Sequence, residues 1–344
     1  MGFKTKKMRK KITKIFITAM AALGTVSAQQ DPQFTQFMHS KLIYNPAYAG
    51  TNQSICFNTL YRQQWVSFPG APKTLVFSFD MYSQALGGIG FGLNFMNDQI
   101  GADKTMYVRG AFAKHFALGG DGNGILSLGL DAGILQKQIN GNWIAPQTLI
   151  DPSIPNNPQG AGGTGAPNLN KLVPDVGFGA YYTIPNKMYF GFSATHLTAA
   201  VLQGAQMTGS TSLTSYDLTF QMARHFYIVG GYTFLMSNPD HAITPNVKIK
   251  SDGASTQFDV NLTYELKKMA WFGLSWRMQD AIAPMLGYRQ DLGKGTLKVG
   301  YSYDVTTSKI RGYSSGTHEI FLNYCFKVVK PVTHSIHQND RVLD

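Results

Sequence analysis

The sequence predicts an all-β chain that crosses a membrane as an antiparallel β-barrel of about 14 strands, with short periplasmic turns and longer outer loops. Three observations carry this reading. Apolar and polar residues alternate with period two over one segment after another between residues 53 and 327. Charged residues make up 14% of the 344, where a soluble domain has about a quarter. Of nineteen acidic residues only Glu265 and Glu319 are glutamates, and glutamate is the helix former of the two acids.

The elements follow in chain order. Residues 1–14 carry Lys4, Lys6, Lys7, Arg9, Lys10, Lys11 and Lys14 and no acid, and an apolar run from Ile15 to Val26 leads into Ser27-Ala28. This is the layout of a secretory signal peptide, 1–28, cleaved after Ala28. Removing its seven positive charges takes the net charge from +11 to +4, and with it goes the case for a nucleic-acid partner. No cysteine follows the apolar run to carry a lipid. Residues 29–52 read as a periplasmic lead-in. Its stretch Asn45-Pro46-Ala47-Tyr48-Ala49-Gly50 forms turns, and Pro46 disfavours helix at Asn45. Such a segment sits on the periplasmic rim or plugs the lumen, or simply orders the first strand.

The barrel spans 53–327. Alternating segments lie near 53–65, 73–82, 88–97, 104–117, 124–136, 174–183, 187–197, 215–224, 226–236, 242–251, 255–267, 269–279, 282–291, 295–304 and 317–327. The clearest sets Phe258, Val260, Leu262, Tyr264 and Leu266 on one face against Gln257, Asp259, Asn261, Thr263 and Glu265 on the other. Strands that cross a bilayer at a tilt need about 9–11 residues, longer than ordinary strands. Fifteen segments is an odd number, and a barrel with both ends on one side needs an even one. One of the crowded segments after 215 is therefore surplus. Ile184-Pro185-Asn186, Ala223-Arg224-His225 and Asp252-Gly253-Ala254 read as tight turns, whereas 137–173 and 198–214 are long and rich in Gly, Pro, Asn, Ser and Thr. Counting from a periplasmic N-terminus puts both long loops outside. Gly88, Gly90, Gly92, Gly177, Gly179 and Gly191 fall within strand patterns, where glycine lets a wall bend. Trp271, Trp276, Tyr288 and Tyr324 suit interfacial girdles or an ordinary core. Residues 328–344 form a C-terminal tail.

Residues that could carry chemistry are few. No catalytic, cofactor-binding or metal-ligating motif is expected. Asp121-Gly122-Asn123-Gly124 has the flavour of a calcium loop but lacks the spacing and closing Glu of one, and reads as a hairpin turn. His318 and Glu319 are neighbours in a strand and point to opposite faces, so they do not act on one group. The remaining histidines, His334 and His337 of the tail among them, are scattered. Cys56 and Cys325 lie in the first and last strands, which become neighbours when a barrel closes. In an oxidising periplasm they could bridge the seam. Cysteine is equally a small buried residue, and the register decides between the two.

Two blocks of sequence are more specific. Asp31-Pro32-Gln33-Phe34-Thr35-Gln36-Phe37-Met38, the stretch Asn45-Pro46-Ala47 to Gly50, the run Tyr61-Arg62-Gln63-Gln64-Trp65, and Gly70-Ala71-Pro72-Lys73-Thr74 resemble the opening of the PorP/SprF family. Leu274 to Arg277, Gly300 to Asp304, and Gly316-Thr317-His318-Glu319-Ile320 resemble its closing block. The middle matches in pattern alone, and the loop 137–173 and the tail depart from it. The resemblance implies a non-enzymatic outer-membrane barrel of the Bacteroidetes type IX secretion and gliding machinery, without cofactors. It implies as partners secreted proteins or large surface adhesins with C-terminal sorting domains, other type IX secretion components, and outer-membrane lipid. Interaction residues would then be sought among Asn45, Pro46, Ala47, Gly50, Arg62, Trp65, Gly70, Ala71, Pro72, Lys73, Asp304, His318 and Glu319. The competing readings are a channel or hydrophobic-substrate uptake barrel, and a soluble surface sandwich. A filled lumen favours the secretion role, whereas a continuous water path favours transport.

Overall fold

A computed structural model describes residues 31–118, 124–139, 169–203 and 219–326 of the chain. The predicted signal peptide, the tail, Asp121 to Asn123 and most of the two long loops lie outside the described residues. The first half of the barrel is built from β1 (Ile55–Gln63), β2 (Lys73–Ser83), β3 (Ile89–Ile100), β4 (Asp103–Leu118), β5 (Gly124–Ile139), β6 (Leu169–Ile184) and β7 (Met188–Thr195). Two short strands follow, β8 (Val201–Gln203) and β9 (Thr219–Gln221), paired only with each other. The second half comprises β10 (His225–Tyr232), the two-residue β11 (Phe234–Leu235), β12 (His241–Ser251), β13 (Thr256–Leu266), β14 (Ala270–Arg277), β15 (Ala281–Asp291), β16 (Gly295–Thr306) and β17 (Thr317–Phe326).

Every barrel strand runs antiparallel to its neighbours. The ring closes twice over, where β10 pairs β12 from Phe226↔Ser251 to Gly231↔Asn246 and where β1 pairs β17 from Ile55↔Phe326 to Gln63↔His318. Leaving out β8, β9 and β11, fourteen strands form a closed barrel. The alternation has a clear physical sense. Leu130, Leu262, Phe272, Leu274, Trp276 and Leu286 stand on the outer surface, while Ser78, Asn94, Arg109, Asp131, Lys248 and Arg277 are buried inside. An apolar outside around a polar inside is the arrangement of a membrane barrel and the reverse of a soluble sandwich, which removes the soluble reading.

The surplus segment is 215–224. Its described part, β9, pairs with β8 to make a small hairpin within the connection 196–224, and Leu202 and Met222 are buried with the barrel-interior cluster. Its described apolar residues, Phe220 and Met222, pack against the barrel-interior cluster instead of lipid. For the same reason Ala223-Arg224-His225 is not a tight turn but the last part of that long connection leading into β10. The connections 64–72, 140–168, 196–224 and 307–316 all open at one end of the barrel, and 84–88, 185–187, 267–269 and 292–294 at the other. Strands β5 and β6 run to Ile139 and from Leu169, pairing inside the region the sequence assigns to loop.

Candidate functional site: a lumen filled by the N-terminal segment

Residues 31–50 lie inside the barrel. They run from the end of the long connections, where Asp31 meets Lys250, to the opposite end, where Gly50 meets Asp80. A barrel whose inner wall is polar leaves many donors and acceptors facing a narrow space, and each needs a partner. The segment supplies them and folds locally to do so. It forms two short 3-10 turns, Lys41–Ile43 and Pro46–Tyr48. Asn45 caps the second by accepting from the Ala47 N–H at 2.9 Å, and Pro46 takes the first-turn position that needs no donor.

Near the long-connection end the segment is held by buried charge. The Glu319 carboxylate accepts from the backbone N–H groups of Thr35 (2.9 Å) and Gln36 (2.7 Å), and Arg62 joins Glu319 (2.9 Å) to Asp304 (2.8 Å). Arg277 meets Asp304 at 3.2 Å and Asp280 at 3.1 Å, and the Thr35 hydroxyl accepts from both arginines while donating to Asp304. Lys248 pairs with Asp259 at 2.8 Å and donates to the Phe34 carbonyl. Removing one member of such a cluster leaves its partners charged and dry, which costs about 3–5 kcal/mol.

Midway, Phe34, Phe37, Ile43 and Tyr44 pack against Leu60, Val76, Met96, Tyr107, Tyr227 and Trp271. Asn94 donates to the Leu42 carbonyl, Arg109 to Ile43 and Ser193 to Tyr44. His39 stacks on Phe321 with ring centroids 4.9 Å apart, and burial together with the charges of Lys298 and Lys41 pushes it down to about 3. The Lys41 ammonium sits 3.5 Å from the centre of the Tyr189 ring, and burial lowers it to about 7. Further along, Asn45 donates to the carbonyls of Ala180 (3.0 Å) and Phe192 (3.2 Å) on adjacent strands. Gly129, Gly179 and Gly191 form the wall there, and a side chain on Gly129 or Gly179 would collide with Ala47 or Asn45. The strand glycines at these positions serve this close approach and not the bending of the wall. Gly50 takes φ +73°, and a Cβ there would lie 2.7 Å from Gly90 Cα.

At the mouth a third group surrounds Asp31. His196 Nε2 lies 3.0 Å from one Asp31 oxygen, His225 Nδ1 lies 3.8 Å from the other, and Tyr227 donates to that same oxygen at 2.6 Å. Asp175 lies 2.9 Å from His196 Nδ1 and 3.7 Å from Arg109, which also faces Asp131 at 3.7 Å. Burial depresses the His196 imidazole, but Asp31 and Asp175 more than reverse that and carry it up to about 9.

The structure divides the candidate residues in two. Asn45, Pro46, Ala47, Gly50, Arg62, Asp304 and Glu319 belong to the segment and the wall that grips it. Trp65, Gly70, Ala71, Pro72 and Lys73 belong to the connection between β1 and β2 and the start of β2, where the Trp65 N–H donates to Thr317 Oγ1 at 3.1 Å. His318 points away from Glu319 and shares a 2.7 Å hydrogen bond with Tyr301. The position of the lead-in is thus within the lumen and not on the rim. Arg109, Asp131, Asp175, Lys248, Asp259 and Arg277 also carry the ion pairs of the wall, and the sequence did not single them out as site residues. Each is a charge on the wet face of an alternating segment, and that is the signal which could have found them. Cys56 and Cys325 stand in register on β1 and β17, Cα atoms 4.0 Å apart, joined as a disulfide.

Among solved structures the chain is similar to CymD, a monoaromatic hydrocarbon channel (12% identity, TM-score 0.48, covering 86% of this chain and 94% of that one). It is likewise similar to the P. putida toluene transporter TodX (9% identity, TM-score 0.46, 83% and 93%) and to the β domain of the Bordetella autotransporter BrkA (14% identity, TM-score 0.35, 80% and 99%). No curated protein matches. The family model described as type IX secretion system membrane protein PorP/SprF matches residues 26–324. With the filled fourteen-strand barrel, that match places the protein: the chain belongs to the PorP/SprF family and is an outer-membrane barrel of the type IX secretion system.

Proposed function

We propose that this barrel works as a non-conducting protein-binding platform, which engages other type IX secretion components and helps to export or retain secreted proteins, among them adhesins with C-terminal sorting domains. The observation that carries this reading is the lumen occupied by the chain's own residues 31–50, held by buried ion pairs at Arg62, Asp304 and Glu319 and by the fit of Asn45 and Ala47 against glycine. A barrel closed in this way has its outward-opening connections left for binding, including the rim formed by Trp65 to Lys73. Sorting of secreted adhesins, the gliding role and processing after Ala28 belong to this proposal. The test is a mild-detergent pull-down from native outer membranes, paired with conductance of the purified barrel in planar bilayers. The platform reading expects secretion components or a secreted protein in stoichiometric amounts and an electrically silent barrel, with current appearing in Arg62→Ala, which loosens the segment. A barrel that comes down alone and conducts steadily as the native chain would make it a channel.

A further inference from the structure

We infer that Asp31, His196 and His225 form a divalent transition-metal site, of the zinc class, that latches the N-terminal segment at the barrel mouth. The inference goes beyond the platform reading and does not rest on which proteins the barrel binds. One ligand atom from each residue lies within 4.8 Å of the other two. In a tetrahedral zinc site with bonds of about 2.0–2.2 Å, ligand atoms stand ~3.3 Å apart. The 3.0 Å from Asp31 Oδ1 to His196 Nε2 is close to that spacing, and the His225 ring stands beside the same carboxylate, its Nδ1 3.8 Å from Oδ2.

The surroundings fit a metal in three respects. Asp175 faces the far nitrogen of His196 at 2.9 Å, the carboxylate–histidine arrangement that orients a metal-binding imidazole and raises its basicity. His225 has a ready tautomer: with its proton on Nδ1 directed at the Ala223 carbonyl, 3.1 Å away, Nε2 carries the lone pair, and that atom is buried with no hydrogen-bond partner among the described residues. Charge also favours a cation, because with both imidazoles neutral the three carboxylates of Asp31, Asp131 and Asp175 stand beside two paired cations, Arg109 and Lys250. Two protein nitrogens and one carboxylate leave a fourth position for water, and the donor set suits zinc above calcium or magnesium, which prefer all-oxygen shells.

The placement gives the site its consequence. Asp31 comes from the lumen segment, while His196 and His225 are the residues at the two ends of the connection 196–224. One ion at this point ties the segment to the residue that follows β7 and the residue that begins β10, so metal occupancy sets how firmly the start of the segment is held to the wall. The rival account is a proton held between His196 and Asp31.

The mature barrel, purified without a polyhistidine tag, is stripped with a chelator, and zinc binding is then read by calorimetry and elemental analysis, with cobalt(II) as a spectroscopic probe. One zinc per barrel and the visible absorption of tetrahedral cobalt are expected. His196→Gln/His225→Gln should lose both signals, and Asp175→Asn should bind 10–100-fold more weakly. Heat-modifiable mobility on gels reports whether each variant is still a folded barrel. Asp31→Asn provides a second ligand variant that leaves the strands unaltered. Absence of stoichiometric binding to the folded native barrel, or binding that survives in the folded double-histidine variant, overturns the site and leaves the proton-held arrangement.

Discussion

His39 shows how much a single side chain of the lumen segment depends on staying neutral. Its ring packs between Trp271 and Phe321, its covered Nε2 has no hydrogen-bond partner among the described residues, and Lys41 and Lys298 both oppose a positive charge there. A released segment would expose His39 to water, where it titrates near 6.5. Its value inside the barrel is about 3. The sign follows by linkage: the released state binds the proton first, so the hold on the segment is complete above about 6.5 and weakens as pH falls toward 3. At pH 5 the loss relative to pH 7 amounts to about 2 kcal/mol. His39→Phe keeps the ring stack and removes the proton. Its thermal midpoint should therefore fall less between pH 7 and pH 5 than that of the native barrel, and equal falls in the two proteins would rule out this role. Nothing in the sequence marks His39 for burial. Its environment is made by strands more than two hundred residues away, and the lead-in has no period of its own to reveal which side chains point where.

Strands were the legible part of the chain, because lipid outside and polar groups inside impose a strict period of two wherever a strand crosses. The run Gln257 to Leu266 has that period in the sequence and the matching burial pattern in β13. The run 215–224 has it in the sequence too, but its described apolar residues Phe220 and Met222 meet the barrel interior, and period alone does not distinguish these two destinations for an apolar face. Strand ends also escaped, since β5 and β6 extend by pairing with each other past the point where lipid contact patterns their residues. The seam was legible as an adjacency of first and last strands, whereas the facing of Cys56 and Cys325 needed the register. Nine residue pairs join β1 to β17 even without the sulfur bridge, so the barrel is expected to form in Cys56→Ser/Cys325→Ser. The bridge closes a chain separation of 269 residues, and its removal should lower stability by about 2–5 kcal/mol. Heat-modifiable mobility of the oxidised, reduced and doubly substituted barrels measures this. Identical melting of all three would mean that hydrogen bonding alone holds the seam.

Across the whole molecule, the lumen segment fixes a direction. Its Asp31 end lies with the long connections and its Gly50 end with the short turns, and β17 finishes at the short-turn end beside the start of β1. Outer-membrane barrels keep short turns in the periplasm and longer loops outside, so the rim containing Trp65 to Lys73 and the Asp31 group should face the exterior. The family resemblance was readable because its motif residues sit where the wall grips the segment: Arg62, Asp304 and Glu319 at one end, Asn45 to Gly50 at the other. The filled lumen itself was readable only as one of three options, because partners of a buried charge are set by closure of the ring and not by neighbours in sequence. The orientation can be tested directly, since both cysteines of the sequence are joined to each other and an introduced thiol is the only one to react. Ser67→Cys, on the exposed connection between β1 and β2, should take a membrane-impermeant maleimide in intact cells. Lys268→Cys, on the exposed turn between β13 and β14, should react only after the outer membrane is opened. The reverse pattern would place the Trp65 rim in the periplasm, where it could meet secretion components but not a protein retained on the cell surface.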